Sequence, residues 1–293
     1  MKTTALALGF FDGVHLAHRA VLRQARDWAD AHGCAACAVT FSVHPAAALA
    51  GKPQMLMQTL QDRIETLKTD GKMDDVVVLA FEPALWNTPW DVFVRDTLIR
   101  DLQAGFVAVG YDYRFGLGAK GTAEKLRDCL AGFGIPAAIV PRMDDENGEA
   151  IGTRTLRRLM TEGNAARAAA IMGRPFTFEG TVLHGKSLGH TLGFPTMNVQ
   201  LPEELVRSAP GVYTARVRIG GALYGAVTNI SPAGLSESFV MGFTGDTYGQ
   251  VIRVYLLDFQ RPMQSFGSLE ALTAQVMRDR DTATERLACL RQE

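Results

Sequence analysis

The feature that most constrains this chain is a change of rhythm near residue 172. Before it, short apolar runs alternate with stretches of helical periodicity; after it, apolar runs follow one another with only turn residues between them. Residues 4–9 form an apolar run ending at Gly9, and Val14, Ala17, Val21, Leu22, Ala25, Trp28 and Ala29 then recur at helical spacing. A strand near 35–41, a helix near 59–69 and a strand at Val76–Phe81 follow. Thr88-Pro89-Trp90-Asp91 carries a capping residue with proline at the first helical position, which predicts a helix to about Leu102. Trp86 and Trp90, at its start, read as packing residues. Phe106–Gly110 and Ala137–Val140 read as strands around a helix at Ala123–Phe133. Such alternation predicts an α/β fold, a parallel sheet with helices on both faces. Ligands then bind at the carboxyl ends of the strands.

After Met172 the pattern is antiparallel. Residues 177–184, 212–219, 222–229 and 251–258 read as strands rich in Val, Tyr and Thr. Gly220-Gly221 and Gly245-Asp246 read as turns, and one helix near 268–280 follows Ser268 as its cap. Strands without intervening helices predict a barrel or sandwich. The expected boundary lies near Gly173-Arg174-Pro175, giving domains 1–172 and 173–293 in a chain of 293 residues, ample for two cores.

The 30 basic and 31 acidic residues nearly cancel, so the total gives no sign of a nucleic-acid footprint. No apolar run approaches the roughly 18 residues of a membrane span, and the N-terminus lacks the apolar core of a secretory signal. The expected setting is the cytoplasm, with the four cysteines as free thiols. Cys34 and Cys37 have redox or zinc spacing. They fall in a stretch that reads as a buried strand, and no second pair sits at zinc spacing.

Two segments carry chemistry. In the first, Gly9-Phe10-Phe11-Asp12-Gly13-Val14-His15-Leu16-Ala17-His18 leaves a strand and opens a helix. His15 and His18, three apart, share one face of the first turn. The free N–H groups and partial positive charge of that terminus favour an anion. A pair of imidazoles there either clamps phosphate or caps the helix, and the spacing alone leaves both open. In the second, Gly185-Lys186-Ser187-Leu188-Gly189-His190-Thr191-Leu192-Gly193-Phe194-Pro195-Thr196-Met197-Asn198 is a glycine-rich loop able to wrap phosphates. Thr196 and Asn198, two apart on an extended strand, point the same way, and their oxygens are hard ligands that suit Mg²⁺.

Taken with Thr40-Phe41-Ser42-Val43-His44-Pro45 and Val109-Gly110-Tyr111-Asp112-Tyr113-Arg114-Phe115-Gly116, the first segment resembles the bacterial bifunctional riboflavin kinase/FMN adenylyltransferase family. The second resembles that family's kinase signature. The likeness continues through Pro210-Gly211-Val212-Tyr213, Tyr224-Gly225, Asn229-Ile230, Asp246-Thr247-Tyr248-Gly249 and Leu256–Asp279. The resemblance implies a Rossmann-like nucleotidyltransferase domain followed by a small antiparallel β-barrel of riboflavin kinase type. It implies ATP, Mg²⁺, riboflavin and FMN as ligands, and a monomer or weak homo-oligomer with no nucleic-acid or membrane partner. His15 and His18 then hold ATP phosphates with Gly9, Phe11, Asp12 and Gly13, and Thr153, Arg154 and Arg157 add hydroxyl and guanidinium groups. Asp112 and Arg114 lie beside nucleotide and flavin. In the kinase half Gly185, Lys186 and Gly193 wrap phosphate, Thr196 and Asn198 hold the metal, and Glu237 is the base.

The chain departs from the family pattern in places. Ala17 stands where the signature has glycine, and Ser42-Val43 replaces Asp-Pro. Gly152-Thr153-Arg154-Thr155-Leu156-Arg157 stands for the family's S-S-T-R-I-R. Asn229-Ile230 runs almost directly to Glu237, without the family's Arg-Pro-Thr. Three readings stay open at this point: both activities, one live half, or a flavin- or nucleotide-binding paralogue without catalysis.

Overall fold

The computed structural model describes residues 3–184 and 194–289. The expected phosphate-binding residues Gly185, Lys186 and Gly193 lie outside them. Backbone contacts divide the chain into Met1–Thr155 and Leu156–Glu293.

In the first unit, strand β1 (Thr4–Leu8) leads into helix α1 (Leu16–His32), followed by β2 (Ala35–Phe41), α2 (Pro45–Ala50), α3 (Leu60–Thr69) and β3 (Asp75–Leu79). Short helices α4 (Pro83–Trp86) and α5 (Trp90–Val92) run into a π-helical stretch, Phe93–Asp101. Then come β4 (Ala104–Gly110), the two-residue strands β5 (Arg114–Phe115) and β6 (Gly121–Thr122), α6 (Ala123–Gly132) and β7 (Ala137–Val140); α7 (Thr153–Thr161) begins in this unit and ends in the next. The helix expected after Thr88 is present, but its cap residue is Pro89 and the Thr88 hydroxyl instead donates back to Ala84 O at 2.8 Å; the hydrogen bonding widens to i→i+5 from Phe93 onward.

The five-stranded parallel sheet has the order β3-β2-β1-β4-β7. The side-chain period of two explains its asymmetric faces. Ala5, Ala7, Ala36, Ala38 and Ala108 meet α1 and α3 through Val21, Leu22, Ala25 and Leu67. Small residues there let α1 lie close to the sheet. The alternate residues Leu6, Leu8, Val39, Val107 and Val109 pack on Phe93, Val94 and Leu98 of the π-helical stretch and on Leu126 and Leu130 of α6. The chain therefore leaves β1 for one face and β4 for the other. The crevice beyond their carboxyl ends is a topological switch point, where sheets of this type bind ligands.

The second unit holds α8 (Ala165–Met172), β8 (Phe176–Thr181), β9 (Thr196–Gln200), β10 (Gly211–Ile219), β11 (Ala222–Ile230), β12 (Leu235–Val240), β13 (Val251–Pro262) and α9 (Leu269–Cys289). The strands form an antiparallel sheet in the order β8-β13-β10-β11-β12-β9. It curls until β9 meets the chain leaving β8, where Leu183 N donates to Asn198 O at 2.8 Å. The predicted Gly220-Gly221 turn joins β10 to β11 with φ of 55° and 101°, both in the left-handed region that a two-residue hairpin needs. Phe176, Phe178, Tyr213, Ala215, Val254 and Leu256 fill the interior.

Two sequence expectations need correction here. Residues 235–240 form strand β12, which the pattern did not announce, and the last helix runs to Cys289 rather than to about 280. β12 hides because its inward residues are serines. Ser236 and Ser238 are fully buried, and Ser238 shares a 2.8 Å hydroxyl contact with Thr228 of β11. A buried face made of hydroxyls inverts the apolar alternation that betrays a strand.

Candidate active sites

The first site lies beyond β1. Phe11, Gly13 and Val14 take positive φ (58°, 85° and 39°), which is costly for phenylalanine and more so for β-branched valine. The loop is held by contacts that offset this strain. Asp12 Oδ1 accepts from Met57 N at 2.7 Å, and Asp12 O accepts from the Thr153 hydroxyl at 3.0 Å. Phe11 and Val14 are buried in the core. The expected ligand residues Phe11 and Asp12 thus have their side chains engaged inside the fold, and their backbone is what the loop presents.

His15 is the cap of α1, its Nδ1 accepting from His18 N at 3.2 Å. In the neutral ring the proton then sits on Nε2, a donor. The two imidazoles stack at 3.6 Å with 16° between planes. His15 is only 4% exposed, and the edge of Phe11 meets His18. Sequence reasoning left phosphate clamp and helix cap open; the geometry makes His15 a cap and covers the pair. Burial lowers the His15 pKa to about 4. His18 is pushed well below the ordinary value by burial first, then by His15 and by Arg63. Both rings are neutral donors at pH 7.

Thr153 opens α7 and reaches back to Asp12, while Thr155 turns inward and donates to Ala150 O at 2.8 Å. Arg154 is exposed and Arg157 half-buried. Asp112 and Arg114 are exposed on the turn after β4, across the switch point from the histidine loop. Arg63 of α3 was not anticipated as a site residue. It is 1% exposed and packs over the Phe10 ring at 4.0 Å. Its place one turn before the buried Leu67, on the inward stripe of α3, was the available signal.

The second site is a row across the curled sheet. Glu237 of β12 is paired with Asn198 of β9 on one side and with Asn229 of β11 on the other. Directly paired residues share a face, so the three side chains stand together, and Asn229 Nδ2 donates to Glu237 Oε2 at 3.3 Å. The row continues through Val212 of β10 to Arg261 of β13. Thr196, two residues before Asn198, joins the same face. Glu237 is therefore a strand residue, and the tight 230–235 turn, held by Ser231 N donating to Leu235 O at 2.9 Å, keeps it in register despite the short loop.

Thr196, Asn229, Glu237 and Arg261 of this face line a cavity of about 390 Å³ together with Phe194, Phe239, Met263, Phe266 and Val276, and Asn198 is buried beside Glu237 in the same row. Arg261 grips Asp279 of α9 through two bonds of 2.9 and 2.6 Å, and Gln275 adds a third at 2.8 Å. That clamp fixes the helical wall of the cavity. The size and the mix of aromatic wall with few polar groups suit a planar heteroaromatic ligand. Asn198 Oδ1 is buried without a hydrogen-bond partner, although a buried carbonyl oxygen ordinarily has one. With the Thr196 hydroxyl beside it, this oxygen fits a hard cation. Among the described residues no cluster of three or more His, Cys, Asp or Glu side chains offers an alternative metal site.

A parallel sheet with a histidine-capped helix at its switch point, followed by a curled barrel whose polar row opens on a cavity, defines a two-domain nucleotide-dependent transferase. The FAD synthetase family model matches residues 1–154 and the riboflavin kinase family model residues 172–287. Proteins named bifunctional riboflavin kinase/FMN adenylyltransferase from Listeria monocytogenes, Haemophilus influenzae and Escherichia coli K12 are each 32% identical to it. The matches cover 94%, 97% and 96% of this chain and 89%, 94% and 91% of those relatives. The chain belongs to the bifunctional riboflavin kinase/FMN adenylyltransferase family. A Streptococcus pneumoniae crystal structure named as a macrolide-efflux protein shares the fold, with a TM-score of 0.86 and 29% identity over 97% of this chain and 95% of that one. In the present chain no helix among the described residues is long and apolar enough to cross a membrane.

Proposed function

We propose that this chain makes FMN from riboflavin and ATP in residues 173–293, and FAD from FMN and a second ATP in residues 1–172. The observation that carries the kinase reading is that Thr196, Glu237 and Asn229 line the aromatic cavity, with Asn198 paired beside Glu237. Riboflavin lies in that cavity with its ribityl 5′-hydroxyl toward Glu237. The carboxylate, oriented by Asn229, accepts the hydroxyl proton as the oxygen attacks the γ-phosphorus and ADP leaves. Thr196 and Asn198 are the residues that hold Mg²⁺, which when bound neutralises phosphate charge. Gly185, Lys186 and Gly193 wrap the phosphates.

In the N-terminal half the FMN phosphate attacks the α-phosphorus of ATP and pyrophosphate leaves. No covalent enzyme intermediate is needed. Neutral His15 and His18, with the backbone of Gly9, Phe11, Asp12 and Gly13 at the helix mouth, donate to the triphosphate as charge accumulates. Thr153, Arg154 and Arg157 add donors, and Asp112 and Arg114 position FMN from the other side of the switch point. Small-molecule substrates, free thiols and ATP dependence fit a cytoplasmic monomer or weak homo-oligomer.

The test is incubation of the protein with riboflavin, ATP and Mg²⁺, with flavins separated by chromatography. FMN followed by FAD is expected. FMN alone removes the transferase half of the reading, and no product removes both.

A further inference from the structure

Arg63 is a buried charge with little local compensation. Its side chain comes from the middle of α3, is 1% exposed, and donates one hydrogen bond, Nη2 to Phe41 O at 2.7 Å. Nε and Nη1 are buried without partners. Among the described residues no carboxylate forms an ion pair with it. A guanidinium kept from water with two nitrogens unpartnered carries a desolvation cost that the Phe10 ring face offsets only in part. A methionine or leucine fills such a position without that cost. The titratable groups about this corner are Asp12 of the β1–α1 loop, His18 of α1 with His15 stacked on it, and His44, whose ring meets Phe10 at 4.7 Å. Asp12 already accepts from Met57 N and Thr153, and its charge opposes the lowering that burial imposes on Arg63.

We propose that Arg63 is a positioning residue of the adenylyl-transfer site: a fixed charge beneath Phe10 and the histidine pair whose counter-ion is the phosphate of the bound nucleotide. The inference rests on the transferase reading given above. Its field acts in two ways. It favours a polyanion at the helix mouth through low-dielectric material, where screening by salt is weak. It also disfavours a proton on His18, which keeps that ring a neutral donor. Arg63 touches no reacting atom; it acts through Phe10 and His18.

The experiment compares native protein with R63M, R63K and R63Q, measuring FAD formation from supplied FMN against ATP concentration and pH. FMN formation from riboflavin on the same samples reports on the rest of the molecule. For R63M the KM for ATP in FAD formation is expected to rise at least tenfold. The acid limb of kcat/KM is expected to move up, because removing a neighbouring positive charge lifts one of the causes that lower the His18 pKa, burial and His15 remaining. R63K keeps the charge and is expected to stay within threefold of native KM with the native acid limb. FMN formation is expected to change less than twofold. Unchanged ATP dependence and pH profile in R63M, with only a lower melting temperature, makes Arg63 a packing residue and overturns the inference. If R63M loses both activities, R63K and R63Q decide: equal loss in both overturns the role of charge. Native protein that makes no FAD overturns the transferase reading itself.

Discussion

Acidification should destabilise the N-terminal domain through His15 in particular. Burial holds its pKa near 4, against 6.5 in an open chain. The unfolded chain binds a proton at His15 as pH falls below 6.5, while the folded chain resists until about 4, so stability is complete above 6.5 and lost across that window. At about 1.4 kcal/mol per tenfold in proton affinity, the full gap corresponds to about 3 kcal/mol, of which about 2 is lost between pH 7 and pH 5. The perturbation is H15Q, which removes the titrating group. The assay is urea unfolding followed by tryptophan fluorescence at the two pH values. All three tryptophans, Trp28, Trp86 and Trp90, lie in the first unit, so the signal reports that domain. Native protein should lose about 2 kcal/mol more than H15Q between pH 7 and pH 5. Equal losses in the two proteins would mean that His15 is not held neutral by burial.

Three further outcomes follow from the geometry. E237Q should lower FMN formation by about a hundredfold while leaving FAD formation from supplied FMN unchanged, since a general base typically contributes on that order; chromatography of both reactions checks it. A Cβ at Gly180 would collide with Val199 Cγ1 where the curled sheet closes, so G180A should cost about 1–3 kcal/mol and lower the unfolding transition that tryptophan does not see, read by calorimetry. Burial pushes the Cys37 thiol up to about 11, so a thiol reagent at pH 8 should label exposed Cys289 quickly and Cys37 only on unfolding, as peptide mapping would show.

The parallel half of the fold was legible because its signals are local. The runs at 4–9 and 35–41 carry buried residues on both sheet faces. The Thr196/Asn198 pair was also legible, because period two puts both on one face. Two kinds of feature were not. The meeting of Glu237 with Asn198 and Asn229 is a matter of register between strands distant in sequence, and β12 disguises itself with inward serines. The setting of His15 and His18 depends on Phe11, whose ring meets His18, and on the charge of Arg63 from α3, residues that in sequence look like an apolar loop position and a surface charge. Of the C-x-x-C pair, Cys37 is buried in β2 and Cys34 is half-buried just before it.

The central claim is that two phosphate-handling sites work separately in one polypeptide. The most direct measurement is of N198A and H18A side by side, each supplied once with riboflavin and once with FMN, with ATP and Mg²⁺ throughout. N198A should make no FMN yet convert supplied FMN to FAD at the native rate, and H18A should accumulate FMN and make almost no FAD from either flavin. A fall of both reactions in both variants would contradict the account.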